Sequence, residues 1–217
     1  MGDQVSSLRT ASGSSGFSRK RLIFGLKAAA FIVSLWPVTE ILIAFLTSNT
    51  GFFGANPAEL ILHRTGDWAL YFLLITLAIS PLRRMTRLND LIKFRRMAGL
   101  FAFFYATLHL VSYIAFDRFF YLDEILRDIL RRPFIFVGIA AFILLVPLAV
   151  TSTKGWVQRL GGHRWNLLHR TVYIIAILGV VHYWWLVKRD ILWPAIFAGI
   201  LFLLLMYRLL PKKRFRG

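Results

Sequence analysis

The chain has 217 residues, 58% of them hydrophobic, and a formal net charge of +17. Apolar blocks near the roughly 20 residues that a helix needs to cross a bilayer recur without the alternation of barrel strands. The composition therefore points to an all-α integral membrane protein and away from a soluble or nucleic-acid-binding one. Absence of Cys excludes disulfides, iron–sulfur clusters and zinc–thiolate sites, so any metal must be held by His, carboxylate or Met.

Residues 1–18 are rich in Ser and Gly and predict a disordered N-terminus. Arg19-Lys20-Arg21 opens an apolar run. The run is too long for a secretory signal, and Pro37 and Glu40 interrupt it, so a first span is expected from Leu22 to Leu46. The second is expected over Trp68–Leu82, beginning earlier near Ile61 and stopping at Pro81 and Arg83-Arg84. A third runs from Met97 to Phe116. The fourth starts at Pro133, a residue suited to the first helical position, and ends near Val150. Leu167–Val187 gives the fifth, and the sixth begins at Trp193-Pro194 and ends before Pro211. Residues 19–211 thus form one six-helix bundle, with 212–217 as a basic tail. Between the third and fourth spans, Leu122, Ile125, Leu126 and Ile129 follow helical spacing among charged residues. The segment Asp117–Leu130 predicts an amphipathic helix lying in the membrane interface.

With the N-terminus placed in the cytoplasm, six spans sort the charges. The outer loops then hold as many acids as bases, and the whole net charge falls on the inner side. Such sorting is the positive-inside pattern, and one missed span would scramble it. Both termini are expected in the cytoplasm.

Five His are present: His63, His109, His163, His169 and His182. An ionisable group within a span is costly and marks function by default. His109 and His182 lie at similar depth in the third and fifth spans, roughly 20 Å from the inner side at 1.5 Å per residue. Two imidazoles at one depth on two helices can ligate one haem iron from both faces. That arrangement leaves no open axial site and suits electron transfer. Ala102, Ala106 and Ser112 near His109, and Ala176 and Gly179 near His182, offer room at helical spacing. The alternative is a pair of His that bridge helices by hydrogen bonds. His169 lies thirteen residues before His182, near the inner surface, where a second haem would need another ligand. His63 reads as interfacial and His163 as solvated.

Several stretches together carry a family resemblance. They are His63-Arg64-Thr65-Gly66, Arg95-Arg96-Met97-Ala98-Gly99-Leu100, Thr107-Leu108-His109-Leu110-Val111-Ser112-Tyr113, Thr151-Ser152-Thr153, and Leu168-His169 through Val181-His182-Tyr183. Over roughly Asn56 to Lys188 the chain resembles MsrQ (YedZ), the haem-binding membrane subunits of bacterial periplasmic protein-methionine-sulfoxide reductase systems. Their membrane core is similar to that of ferric reductases. The resemblance implies b-type haem held by His109 and His182, with His169 as a further implicated His. It also implies FMN and electrons from the quinone pool or a cytosolic flavin reductase. The implied electron acceptor is MsrP, a periplasmic molybdopterin enzyme, and the implied location is the bacterial inner membrane. Arg95, Arg96 and Arg164 are candidates by position for a flavin phosphate or a haem propionate. Arg95 and Arg96 stand where a two-haem oxidase would carry ligands, a departure that counts against a second haem and leaves room for a flavin, with His163, a solvent ligand or another cofactor as alternatives at the inner place. Electron transfer to such a reductase is the expected function. A ferric or cupric reductase, a cytochrome b561-type quinone protein and a non-redox assembly or transport protein are the alternatives.

Overall fold

The computed structural model describes residues 3–187 and 190–209, with the side chains of 3–18 left aside. Among these residues all regular structure is helical: α1 Asp3–Leu46, α2 Thr50–Phe53, α3 Pro57–Thr86, α4 Ile92–Ser112, α5 Leu122–Arg131, α6 Pro133–Val150, α7 Lys154–His169, α8 Val172–Leu186 and α9 Leu192–Leu209. Six helical stretches are long and apolar enough to cross a membrane: Arg19–Leu46, Pro57–Thr86, Asn89–Asp117, Pro133–Val150, Lys154–Leu186 and Leu192–Leu209. The chain is a multi-pass, all-α membrane protein.

Two helix pairs form the centre. α3 packs along α4, and α6 packs along α8. α9 lies against α8 and α3, and α1 against α3 and α4. Leu77, Ala102, Tyr105, Ile175 and Ala176 are fully buried at the meeting of these helices. Trp68, Phe72, Phe101 and Tyr105 form an aromatic stack between α3 and α4. Outward faces carry exposed Leu, Ile and Phe, as expected where lipid is the solvent. Glu40 of α1 pairs with Arg64 of α3 at 2.6 Å.

Several boundaries differ from the sequence reading. The backbone of 3–18, expected to be disordered, continues α1 as helix; extending an existing helix avoids the cost of a new nucleus. Residues 1–2 and the basic tail 212–217 lie outside the described residues. The second span does not stop at Pro81. It begins at Pro57, capped by the Asn56 side chain on Glu59 N at 3.2 Å, and runs through Pro81 to Thr86. Proline withdraws the N–H that would satisfy the carbonyl four residues earlier. Here that carbonyl, Leu77 O, instead accepts a hydrogen bond from Arg208 Nη2 at 2.8 Å. A residue 131 positions away thus supplies what Pro81 removes. The stretch before Leu167, expected to be a loop, is α7, capped by Thr153 on Trp156 N at 3.3 Å. Gly161 sits in α7 with φ 72° and kinks it. α7 ends at His169 and α8 starts at Val172, so His169 and His182 stand on separate helices.

Candidate functional site

Each helix pair presents one histidine to the space between the pairs. His109 is on α4 and His182 on α8. Their ring centres are 6.0 Å apart and their planes stand at 81°. The equal depth expected from the spans is met.

Both rings are held in the same way. His109 Nδ1 lies 2.9 Å from Leu62 O on α3, and His182 Nδ1 lies 2.6 Å from Phe134 O on α6. A carbonyl can only accept, so Nδ1 carries the proton in both rings. Nε2 is then left in each with its lone pair, the form in which imidazole ligates a metal. Four residues beyond each carbonyl stands a glycine that makes room for the ring. A Cβ on Gly66 would meet His109 at 3.0 Å, and one on Gly138 would meet His182 Nδ1 at 2.7 Å. The two walls therefore repeat one device: a carbonyl to orient the ring and a glycine, one turn on, to admit it.

The pair faces a cavity of about 260 Å³. Ala102, Ala106 and Gly179 line it as the spacing predicted; Gly66, Ala69, Gly138 and Ala141 also do, whereas Ser112 and Ala176 do not. Among the described residues no group of three or more His, Asp or Glu converges as a metal cluster. A metal held by this pair would take its remaining ligands from elsewhere, as an iron does from a porphyrin. Bonds of about 2 Å from one metal to two opposed ring nitrogens put the ring centres on the order of 6 Å apart, and the observed separation matches. The residues fit an axial bis-histidine haem.

His169 is not brought to this pair. Its ring stacks on Trp165 with centres 3.8 Å apart. Thr151 Oγ1 donates to Pro147 O at 2.6 Å, which leaves it to accept from His169 Nε2 at 3.1 Å. His169 belongs to a second cavity of about 290 Å³ with Arg95, His163, Asn166, Arg170 and Tyr173. Of the three arginines singled out from sequence, Arg95 lines this cavity; Arg96 and Arg164 are exposed outside its lining. His163 and Arg170, which the sequence reading did not choose, line it too.

At the opposite end of the bundle, α5 forms within the segment expected to be amphipathic. Asp128, expected in the solvated face, is buried. Arg118 Nη2 reaches it at 2.5 Å, Tyr113 OH donates to it at 3.0 Å, and Arg132 Nε lies at 3.4 Å. Burial alone would lower the Arg118 pKa. Its bond to Tyr113 and the carboxylates of Asp117 and Asp128 outweigh that and hold it above the ordinary value.

Comparison with known proteins decides the family. Residues 65–180 match the family described as ferric reductase like transmembrane component. The chain is 53% identical over 185 residues to the protein-methionine-sulfoxide reductase heme-binding subunit MsrQ of Herminiimonas arsenicoxydans, with 84% of each chain covered. The chain belongs to the MsrQ family. It is also similar to the MsrQ proteins of Rhodospirillum rubrum (50% identical, 88% of this chain and 90% of the relative) and Xanthomonas campestris pv. campestris strain 8004 (55%, 71% of each). The ferric-reductase match starts at Thr65, one residue before Gly66, and ends at Val180, two before His182. It thus contains His109 and both ring-admitting glycines of this MsrQ-family chain.

Proposed function

We propose that this chain is the haem-binding electron-transfer subunit of a bacterial methionine-sulfoxide reductase system, with residues 19–211 as the haem-binding bundle. The observation that carries this reading is the His109–His182 pair: two rings fixed by carbonyls, 6.0 Å apart, with no hydrogen-bond partner at either Nε2 among the described residues. The name that the relatives bear, heme-binding subunit, supports it.

His109 Nε2 and His182 Nε2 would hold b-type haem, which supplies a one-electron couple when bound. With His109 and His182 both engaged in holding it, the group would pass electrons rather than bind oxygen or substrate. The chain's residues serve to hold, orient and shield. The apolar lining from Leu73, Phe142 and Leu145 keeps water from the ring faces. The basic excess at the α7 end supports an orientation with that end and both termini in the cytoplasm, in the bacterial inner membrane. On this orientation electrons enter at the α7 end from quinol or a cytosolic flavin reductase. The Arg95–Arg170–His169 cavity there has the cations and aromatic wall to take FMN.

Electrons leave at the α5 end to a periplasmic molybdopterin reductase of the MsrP kind. Phe119 and Phe120 there adopt positive φ (46° and 62°), a costly backbone for aromatic residues, and are 69% and 68% exposed. Replacing Phe119, Phe120 and Leu122 by Ser is expected to slow reduction of that partner while haem content holds. Unchanged partner reduction would remove this docking assignment.

The central test is the optical spectrum of purified wild type, His109→Ala and His182→Ala, oxidised and dithionite-reduced. The expected result is a reduced b-type α-band in wild type that both variants lose. A colourless, folded wild type would return the two His to helix bridging. The ferric-reductase match favours one second reading, direct reduction of ferric chelates. Reduced protein that is reoxidised by ferric citrate faster than by the periplasmic reductase would select it.

A further inference from the structure

The cavity between the helix pairs is polar at one end only. Apart from the two axial candidates, its polar lining consists of His63, Asp67, Tyr113, Asp117, Arg132 and Tyr183. These stand on the first turns of α3, the end of α4 and its π-helical extension Tyr113–Asp117, the residue that caps α6, and the last turn of α8. All of those termini meet at the α5 end. The remaining lining, through Leu73, Ala102, Phe142, Leu145 and Ile175, is apolar. Haem is a disc with the same asymmetry, apolar except for two propionates on one edge. A ligand of that shape fits the cavity in one sense, with its carboxylates at the α5 end.

The two basic side chains of the lining flank the two carbonyls that hold the rings. His63 follows Leu62, whose carbonyl binds His109; Arg132 precedes by two residues Phe134, whose carbonyl binds His182. One basic side chain is thus carried by each wall, His63 with its Nε2 3.8 Å from Glu59 Oε1 on its own helix. Arg132 differs from its neighbour Arg118. Arg118 commits its terminal nitrogens to Asp117 at 3.3 Å, Asp128 at 2.5 Å and Glu124 at 3.9 Å, and does not line the cavity. Arg132 meets Asp128 through Nε alone at 3.4 Å. Among the described residues its two terminal nitrogens have no ion-pair partner, and they form the planar fork that suits a carboxylate. Of the two acids in the lining, Asp117 is matched by Arg118. Asp67 stands one turn from His63 on α3.

Resting on the haem reading above, we propose that Arg132 and His63 are a clamp for the two haem propionates, fixing the macrocycle with its charged edge at the α5 end. Both are positioning residues. Arg132 contributes charge as well as hydrogen bonds, and a cation beside the macrocycle stabilises the added electron, so its loss lowers the midpoint potential.

The test uses the full-length protein in detergent: wild type, Arg132→Gln, Arg132→Lys, His63→Gln and Asp128→Asn. It reads midpoint potential by spectroelectrochemical titration and the propionate-bending band by resonance Raman. The expected result is a lower potential and a shifted propionate band in Arg132→Gln, with most of the potential restored in Arg132→Lys. His63→Gln shifts the band as well. Asp128→Asn removes the ion pair of Arg132 but keeps its guanidinium, and so does not lower the potential. If Asp128→Asn reproduces the fall while the propionate band stays in place in every variant, Arg132 acts only by packing and the clamp is wrong. A haem-replete wild type whose potential and band ignore Arg132 and His63 also overturns it, leaving the electron-carrier reading intact. A folded wild type without haem overturns both.

Discussion

Gly138→Ala is the most incisive single change to this site, because it alters no ligand and no charge. The added Cβ would lie 2.7 Å from His182 Nδ1 and 2.8 Å from Cε1, where ordinary contact begins at 3.4 Å. The ring cannot yield by rotating freely, since Nδ1 is tied to Phe134 O at 2.6 Å on the same helix as the new methyl group. Displacing the ring breaks that bond and leaves a buried N–H without a partner, a cost of about 1–3 kcal/mol. Every 1.4 kcal/mol is about tenfold in affinity. The expected loss is therefore about 10–100-fold in haem affinity, the usual scale for removing a partner that orients a metal ligand. Haem-to-protein ratio and carbon monoxide binding would measure it: on the proposed reading a displaced His182 would free a place on the haem, so the reduced variant is expected to bind carbon monoxide and wild type is not. Gly66→Ala places its Cβ at 3.0 Å from His109, and that ring is held by a longer bond of 2.9 Å, so its effect is smaller. Full haem occupancy in Gly138→Ala with no carbon monoxide adduct would refute the reasoning, as would a larger effect from Gly66→Ala.

Three further outcomes follow from the geometry. Arg208→Leu leaves Leu77 O unsatisfied beside Pro81 and is expected to cost about 1–3 kcal/mol, read as a fall in the detergent unfolding temperature. Adding Pro81→Ala restores the missing N–H, so the double variant should recover part of that loss; strict additivity of the two changes would disprove the coupling. Imidazole planes at 81° would donate to two different d orbitals of an iron held between them and leave those orbitals close in energy, so the oxidised protein is expected to give a strongly anisotropic low-spin EPR signal; an ordinary rhombic signal would mean near-parallel rings. Arg118→Ala strips Asp128 of its 2.5 Å partner and strands a buried carboxylate, and limited proteolysis should then cut earlier around α5; an unchanged cleavage pattern would show that Tyr113 and Arg132 suffice.

The histidine pair was legible in the sequence because a membrane span imposes a ruler. Position along an apolar helix translates into depth at 1.5 Å per residue, and His109 and His182 fall at one depth. Small residues at helical spacing also translate, which is why Ala102, Ala106 and Gly179 are found where room was expected. The groups that orient the rings were not legible. Leu62 O and Phe134 O are main-chain atoms, and a carbonyl has no side-chain signature. Their companion glycines stand one turn beyond; Gly66 belongs to the His63-Arg64-Thr65-Gly66 motif, whereas Gly138 carries no motif of its own. The helical character of Lys154–Asn166 does carry a signal in the sequence, a Thr at 153 placed to cap. Asp128 read as a solvated charge because its partner Arg118 approaches from outside its own helix.

Pro81 shows most clearly where a local rule gives way. A proline among arginines at the end of an apolar run is a sound stop signal when the freed carbonyl would meet only lipid or water. Inside a bilayer an unsatisfied carbonyl is costlier, and the same cost rewards any neighbour able to donate. Arg208 does so from α9, and it also bonds to the Tyr173 hydroxyl of α8. One guanidinium thus joins the last span to two others at the end of the bundle opposite α5. The helix does not continue because its sequence favours continuation. It continues because a charge that the membrane would otherwise penalise finds there the one acceptor that the proline has released. Two features unfavourable in isolation, a half-buried arginine and a mid-helix proline, thus offset part of each other's cost, while Arg208 Nε stays without a partner among the described residues.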